Sequence, residues 1–368
     1  MRLLPTKSMK PGMKLAKTIY NEQGRALLSA GIPVTARMIT RMQQLNVTYV
    51  YIEDARTKDM EAPTMISDQT RKKAITTITD TFRLLESEKK LSKWFVMDQS
   101  SKDLKSLIHT LLADMKENQE VATLLTDVYI HDNYVFTHSL NVTLYALSIG
   151  LKLGLPKKDL EILGLGGILH DIGKMQIPSE ILFKPGKLTS EEFTEMKKHT
   201  TYGYDILRNM HTIPLLVAHC AFQHHERLNG SGYPRGVKNE DIHLFGKILA
   251  VADVFDAVTS HRIYRSAMLP HEGLEILYAG SESLYEPAII DAFRKSVAIY
   301  PFGLTVTLND GRKGIVVGQN KDITERPIVR IIEEEGAELD SPFDINLKDH
   351  LDVSIVDCDN QGSMSAVS

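Results

Sequence analysis

Five histidines and two aspartates stand in helix-like, largely apolar sequence: His138, His170, Asp171, His199, the pair His224 and His225, and Asp253. The stretch ILGLGGILHDIGK, Ile162 to Lys174, runs straight into the adjacent His170 and Asp171, with Lys174 close behind. A buried imidazole beside a buried carboxylate is costly unless something pairs them. Taken one at a time these residues say little. His138 shares a helical face with Val142, Tyr145 and Ile149, His199 shares one with Phe193 and Met196, and Asp253 sits inside KILAVADVFDAV. Each alone reads as a core residue with a satisfied hydrogen bond. Together they would need a separate partner apiece, which core polarity does not easily supply.

A metal centre removes the difficulty. Neutral imidazole and ionised carboxylate are standard N and O ligands for divalent cations. Neighbouring helical side chains diverge by about 100°. His170 and Asp171 can therefore converge only from the rim of a site, or by serving different ions. Asp171 has two oxygens and can bridge two ions, with His170 on one and His224 and His225 contributing to the second. Seven ligands exceed the needs of a tetrahedral zinc. They suit two roughly octahedral ions with open positions for water and substrate.

The elements that must position these side chains are mostly helices. From about residue 126 to 298 the pattern is helix after helix, so the expected fold is mainly α. This all-helical domain is flanked by a small α+β module (1–55) and, over 299–358, a small β-rich module. There VTLNDGRKGIVVG reads as a hairpin turning at Asn309, Asp310 and Gly311. Residues 56–66 read as a polar linker, 67–125 as a helical connector, and 359–368 as a flexible tail. In the connector Ile75, Ile78, Phe82 and Leu85 share one face, as do Leu104, Leu107, Leu111 and Met115. Helix packing is the first reading of those stripes; pairing of two copies is a second, and the pattern is too short for a sustained heptad repeat.

Composition bounds the function. At 368 residues the chain is too long for one ordinary core. Its net charge of −4 provides no global field for a nucleic acid polymer, so an anionic substrate needs a local positive site. Two cysteines, Cys220 and Cys358, suit a reducing compartment. With no signal-peptide pattern and no bilayer-length apolar run, a cytoplasmic protein is expected.

In order and spacing, His138, HDIGK at 170–174, KPGKLT, His199, HHERLNGSGYP at 224–234 and ADVFDAVTSHRIYR at 252–265 resemble the HD-GYP family. This is the phosphodiesterase branch of the HD metallohydrolase superfamily. The resemblance implies hydrolysis of cyclic di-GMP to pGpG, sometimes onward to GMP. It also implies an all-helical domain with two or three metals, often iron or manganese; magnesium, nickel and zinc also suit such donors. Carried over residue by residue, it makes His138, His170, Asp171, His199, His224, His225 and Asp253 the metal ligands, with Asp171 bridging. Lys174 would stand near the substrate phosphate, Gly232, Tyr233 and Pro234 would form the signature loop, and Arg262 and Arg265 would contact phosphate or guanine. Members with a third metal carry a glutamate four residues before the first ligand histidine. This chain has Tyr134 there, so two ions are expected.

Two such ions would hold a hydroxide that is nucleophilic near neutral pH without a protein base. Glu226 reads mainly as one half of an ion pair with a neighbouring base, and otherwise as an acceptor that orients a ligand. Two alternatives stay open: hydrolysis of another cyclic dinucleotide or phosphate ester, and a scaffold that binds the nucleotide or a partner protein without hydrolysis.

Overall fold

A computed structural model describes residues 1–21, 26–45, 47–60, 64–87, 93–117, 129–130, 134–184, 186–260, 268–321 and 323–358. The fold is mainly α with a small sheet module at the C-terminal end. At the other end, strand β1 (Arg2–Pro5) pairs antiparallel with β4 (Tyr49–Ile52). Between them β2 (Ile19–Asn21) and β3 (Ala26–Leu28) form a hairpin, and helix α1 (Ala36–Gln44) buries Ile39 and Met42. Thr35 caps α1 by accepting from the Met38 amide. Strand β5 (Tyr129–Ile130) runs parallel to β2.

Helices α2 (Asp68–Ser87) and α3 (Lys93–Glu117) follow. Ile75, Ile78 and Phe82 of α2 and Leu104, Leu107, Leu111 and Met115 of α3 are buried in one core with Leu140, Leu144 and Leu165. The described side chains of both stripes are therefore covered within the chain, and that of Leu85 lies outside the described residues. The stretch read as a linker is also anchored at both ends. Met65 and Ile66 join that helical core, and Asp59 pairs with Arg330 at 2.8 Å.

The next helices are α4 (Tyr134–Lys152), α5 (Lys157–Leu169), α6 (Ser179–Leu182), α7 (Ser190–Lys197), α8 (His199–Leu207), α9 (Leu215–Gln223), α10 (Leu244–Thr259), α11 (Pro270–Ala279) and α12 (Pro287–Arg294). Helix α4 is apolar nearly all round, with Val142, Leu144, Tyr145, Leu147 and Ile149 buried. A helix of that kind must run through the middle of a core. Leu140, Leu144 and Leu147 face the core shared with α2, α3 and α5. Val142, Tyr145 and Ile149 face a second core with α10, α11 and α12. The GLGG run lets α5 approach three neighbours. Gly164 lies against Ile108 of α3, Gly166 against Cys220 of α9 and Gly167 against Thr143 of α4.

The C-terminal sheet has the order β10-β6-β7-β8-β9, built from β6 (Thr305–Leu308), β7 (Lys313–Gly318), β8 (Ile328–Glu334), β9 (Ala337–Asn346) and β10 (Ile355–Cys358). Every pairing in it is antiparallel. Its core includes Leu3, Tyr49 and Tyr51 together with Val306, Val329 and Ile331. The Tyr51 hydroxyl donates to the Phe302 carbonyl at 3.0 Å, and the Leu3 amide to the Gly303 carbonyl at 2.8 Å. The two ends of the chain thus build one hydrophobic unit. Among the described residues no helix is long and apolar enough to cross a membrane.

Candidate metal centre

The seven side chains singled out in the sequence all reach one buried cluster, and most come from helix ends. His138 projects from α4 and Asp253 from α10. His199 opens α8, while His224 follows directly on α9, with His225 next to it. His170 ends α5, and after Asp171 the chain switches to a tighter turn over Ile172–Gln176. That change of pitch lets two adjacent side chains approach the same centre from its rim. The tight turn sits against the start of α8 at Gly173, where a Cβ would lie 1.9 Å from the His199 carbonyl oxygen.

Two trios of ligand-type atoms face each other. His138, His170 and Asp171 offer atoms within 4.8 Å of one another, and so do His199, His224 and His225. Asp171 belongs to the first trio and also reaches the second. Its Oδ2 lies 3.4 Å from His138 Nε2 and 3.3 Å from His170 Nε2. Its Oδ1 lies 3.4 Å from His199 Nε2 and 3.8 Å from His224 Nε2. Asp253 spans the cluster in the same way, with Oδ1 3.1 Å from His138 Nε2 and Oδ2 3.6 Å from His225 Nδ1.

The outward-facing ring nitrogens fix the tautomers. Nδ1 of His170 donates to the Gly167 carbonyl at 2.7 Å, that of His199 to Met196 at 2.7 Å, and that of His224 to Ala221 at 2.9 Å. His138 Nδ1 donates to Asp256 Oδ2 at 2.6 Å. With the proton on Nδ1, the Nε2 lone pair of each ring is turned inward. Nε2 of His199 and Nε2 of His224 then meet at 3.3 Å with no proton between them. His170 Nε2 and Asp171 Oδ1 are buried without a hydrogen-bond partner. Converging lone pairs and an unsatisfied carboxylate oxygen are what a cation would satisfy, so the residues fit a metal.

Electrostatics favours the ligand forms. Burial raises the Asp171 carboxyl, but Lys174 and the surrounding imidazoles outweigh it and hold it well below the usual carboxylate range. Burial raises the Asp253 carboxyl as well, and the neighbouring imidazoles of His138 and His225 outweigh it and hold it well below the usual carboxylate range. Burial pushes His199 down to about 4 and His224 and His225 well below their ordinary value. At neutral pH these three rings are neutral and both carboxylates are ionised.

The sequence profile of the HD domain family matches residues 111–289, and that of a KOW domain associated with HD domain matches residues 305–366. Residues 111–289 are an HD domain. HD domains are metal-dependent hydrolase folds, and the His/Asp cluster described above could bind such a metal. A cyclic di-GMP phosphodiesterase of Pseudomonas aeruginosa is 35% identical over 225 residues, 61% of this chain and 54% of that protein. One from Thermotoga maritima is 37% identical over 212 residues, covering 57% of this chain and 56% of its own. A 3′3′-cGAMP-specific phosphodiesterase of Vibrio cholerae is 34% identical over 184 residues, 49% of this chain and 35% of the relative. The chain spans about half the length of the first two.

Within the HD domain, Lys174 places its ammonium 2.5 Å from Asp171 Oδ2. Gly232, Tyr233 and Pro234 lie against the ligand pair. The Tyr233 ring stacks on His225 with centroids 4.6 Å apart, and a Cβ on Gly232 would meet the His225 carbonyl oxygen at 2.4 Å. Arg262 and Arg265 lie outside the described residues, and the side chain of Tyr134 does too.

Two further residues support the ligands: Glu226, already named in the sequence as a candidate acceptor, and Asp256, which was missed. Glu226 is 2% exposed, and its carboxylate accepts from the Arg235 amide at 2.8 Å and the Val237 amide at 3.2 Å. It ties the Gly232–Pro234 loop beneath His225, and the ion pair expected of it gives way to backbone amides that no sequence spacing reveals. Asp256 accepts from His138 Nδ1, from Asn141 Nδ2 at 2.9 Å and from the Ser260 hydroxyl at 2.8 Å. It lies one helical turn below Asp253, and that three-residue offset on one helix was the available signal. Asp256→Ala should free the His138 ring and lower metal affinity by about 10- to 100-fold. Metal retained after dialysis against a buffered chelator measures this; full retention with an unchanged circular dichroism spectrum would refute it.

Proposed function

We propose that this chain is a metal-dependent phosphodiesterase that hydrolyses cyclic di-GMP to pGpG. The observation that carries the reading is Asp171, whose two oxygens each face a pair of imidazole Nε2 atoms. One carboxylate shared between two nitrogen sets is the donor arrangement of a two-ion centre.

His138, His170 and Asp253 would hold one ion, His199, His224 and His225 the other, with Asp171 shared. The mixed N and O donors accept iron, manganese, nickel, magnesium or zinc, and it is the resemblance to the HD-GYP family that favours iron or manganese. Bound there, the ions supply Lewis-acid charge for the phosphodiester and lower the pKa of water. Asp256 keeps the proton of His138 on Nδ1. Lys174, whose ammonium already sits at the inner edge of the cluster on Asp171, donates to a phosphoryl oxygen as negative charge develops there. The stacked Tyr233 ring and the loop tied by Glu226 hold His225 in place. The chain's acidity does not oppose binding, because two carboxylates leave a positive centre once two divalent ions are present.

Elemental analysis of anaerobically purified protein, run beside cyclic di-GMP turnover, tests the proposal. About two metal equivalents should accompany activity, and a chelator should remove both together. Turnover that persists in fully demetallated protein would sink the reading. The likeness to a 3′3′-cGAMP-specific enzyme favours one rival substrate. Faster turnover of cyclic GMP-AMP than of cyclic di-GMP would decide for it.

A further inference from the structure

Helix α7 ends two residues before His199 and brings two unassigned side chains to the mouth of the centre. Phe193 is 46% exposed. The Lys197 ammonium lies 4.7 Å from the centre of the Phe193 ring and 5.5 Å from that of Tyr233. Phe193 and Tyr233 meet edge to face at 6.4 Å, and the Tyr233 ring in turn stacks on His225.

Among the described residues, four other cations near α7 or the ligand pair are engaged with protein groups. Lys174 is on Asp171, Lys184 on Glu192 at 2.6 Å and Lys198 on Glu195 at 2.5 Å. Arg227 donates to the His224 and Glu226 carbonyls and lies over Tyr285. Among the described residues Lys197 has ring faces for company and no carboxylate. A cation–π contact near solvent is weak and readily exchanged for a charge-assisted bond to an anionic oxygen. An exposed aromatic ring beside it is a face on which a base can stack.

Resting on the phosphodiesterase reading above, we infer that Phe193 and Lys197 form a nucleotide subsite at the rim of the metal centre. Lys197 is separated from the ligand His225 by the Tyr233 ring. It therefore contacts the phosphate of the cyclic dinucleotide that is not being cleaved, and Phe193 carries the adjacent base. Tyr233 cannot offer both faces to a base, since one lies on His225. Helix α7 needs neither side chain to stay in place. Its start is held by the reciprocal Thr189 and Glu192 cap and by the Lys184 ion pair.

Steady-state kinetics of the full metal-loaded chain test this with cyclic di-GMP, 3′3′-cyclic GMP-AMP and bis(p-nitrophenyl) phosphate. Lys197→Met and Phe193→Ala should each raise KM for the dinucleotide about tenfold, with kcat within about twofold. Lys197→Arg should restore most of the loss. Bis(p-nitrophenyl) phosphate, which has one phosphate and no base, should be cleaved equally by all. Dinucleotide KM values unchanged in both variants, or equal losses on the small ester, overturn the subsite while leaving the phosphodiesterase reading intact. A wild-type protein that cleaves the small ester and neither dinucleotide overturns both.

Discussion

Asp171→Asn should leave a folded protein that neither holds its full metal complement nor hydrolyses cyclic di-GMP. The amide keeps the carboxylate's shape, so the packing of the Ile172–Gln176 turn is undisturbed. What changes is the charge that reaches both trios. Four imidazole Nε2 atoms face the two oxygens of Asp171 at 3.3 to 3.8 Å, and its Oδ2 also takes the Lys174 ammonium. An asparagine turns an NH2 group toward one of these imidazole pairs, where it competes with any cation for the same lone pairs. Lewis-acid stabilisation of the transition state amounts to several kcal/mol, so turnover should fall by roughly a thousand-fold or more. Metal content by elemental analysis and single-substrate kinetics read the two effects separately. Near-normal activity with two bound ions would remove the central assignment.

Gly173→Ala should be the most damaging change that replaces no ligand. A Cβ there would sit 1.9 Å from the His199 carbonyl oxygen and 2.5 Å from the Gly203 amide nitrogen. Both contacts are backbone, so no rotamer change relieves them. Either the tight turn or the first turn of α8 must move, and His199 moves with α8. The cost should approach about 3 kcal/mol, the upper end for forcing a methyl group into packed structure, together with loss of metal from the His199 side. A denaturant midpoint and a metal assay on the same sample check this. A wild-type midpoint with full metal would show that the contact between the turn and α8 is looser than described.

Much of the fold could be read along the chain because its signals are local. The apolar faces of α2 and α3 show the helical period, and the β6–β7 hairpin announces itself at Asn309, Asp310 and Gly311. Strand β9 was missed for an equally local reason. It is an edge strand, largely exposed, and carries Pro342, so neither alternation nor β propensity marks it. The joining of the two end modules was also invisible. Tyr51 and Phe302 meet 251 residues apart, through a buried hydroxyl and a carbonyl that no periodicity links.

The same division holds at the metal centre. The sequence alone determined which residue types were available for coordination, and in what order, because imidazoles and carboxylates in apolar helices are conspicuous where they have no local partner. Only the tertiary structure decided that Asp171 lies between two sets of nitrogens, that Asp253 spans them as well, and that Asp256 and Glu226 hold the ligands in place. Coordination chemistry belongs to single side chains and is written in their identity. Orientation comes from contacts between helices that meet only when the chain has packed.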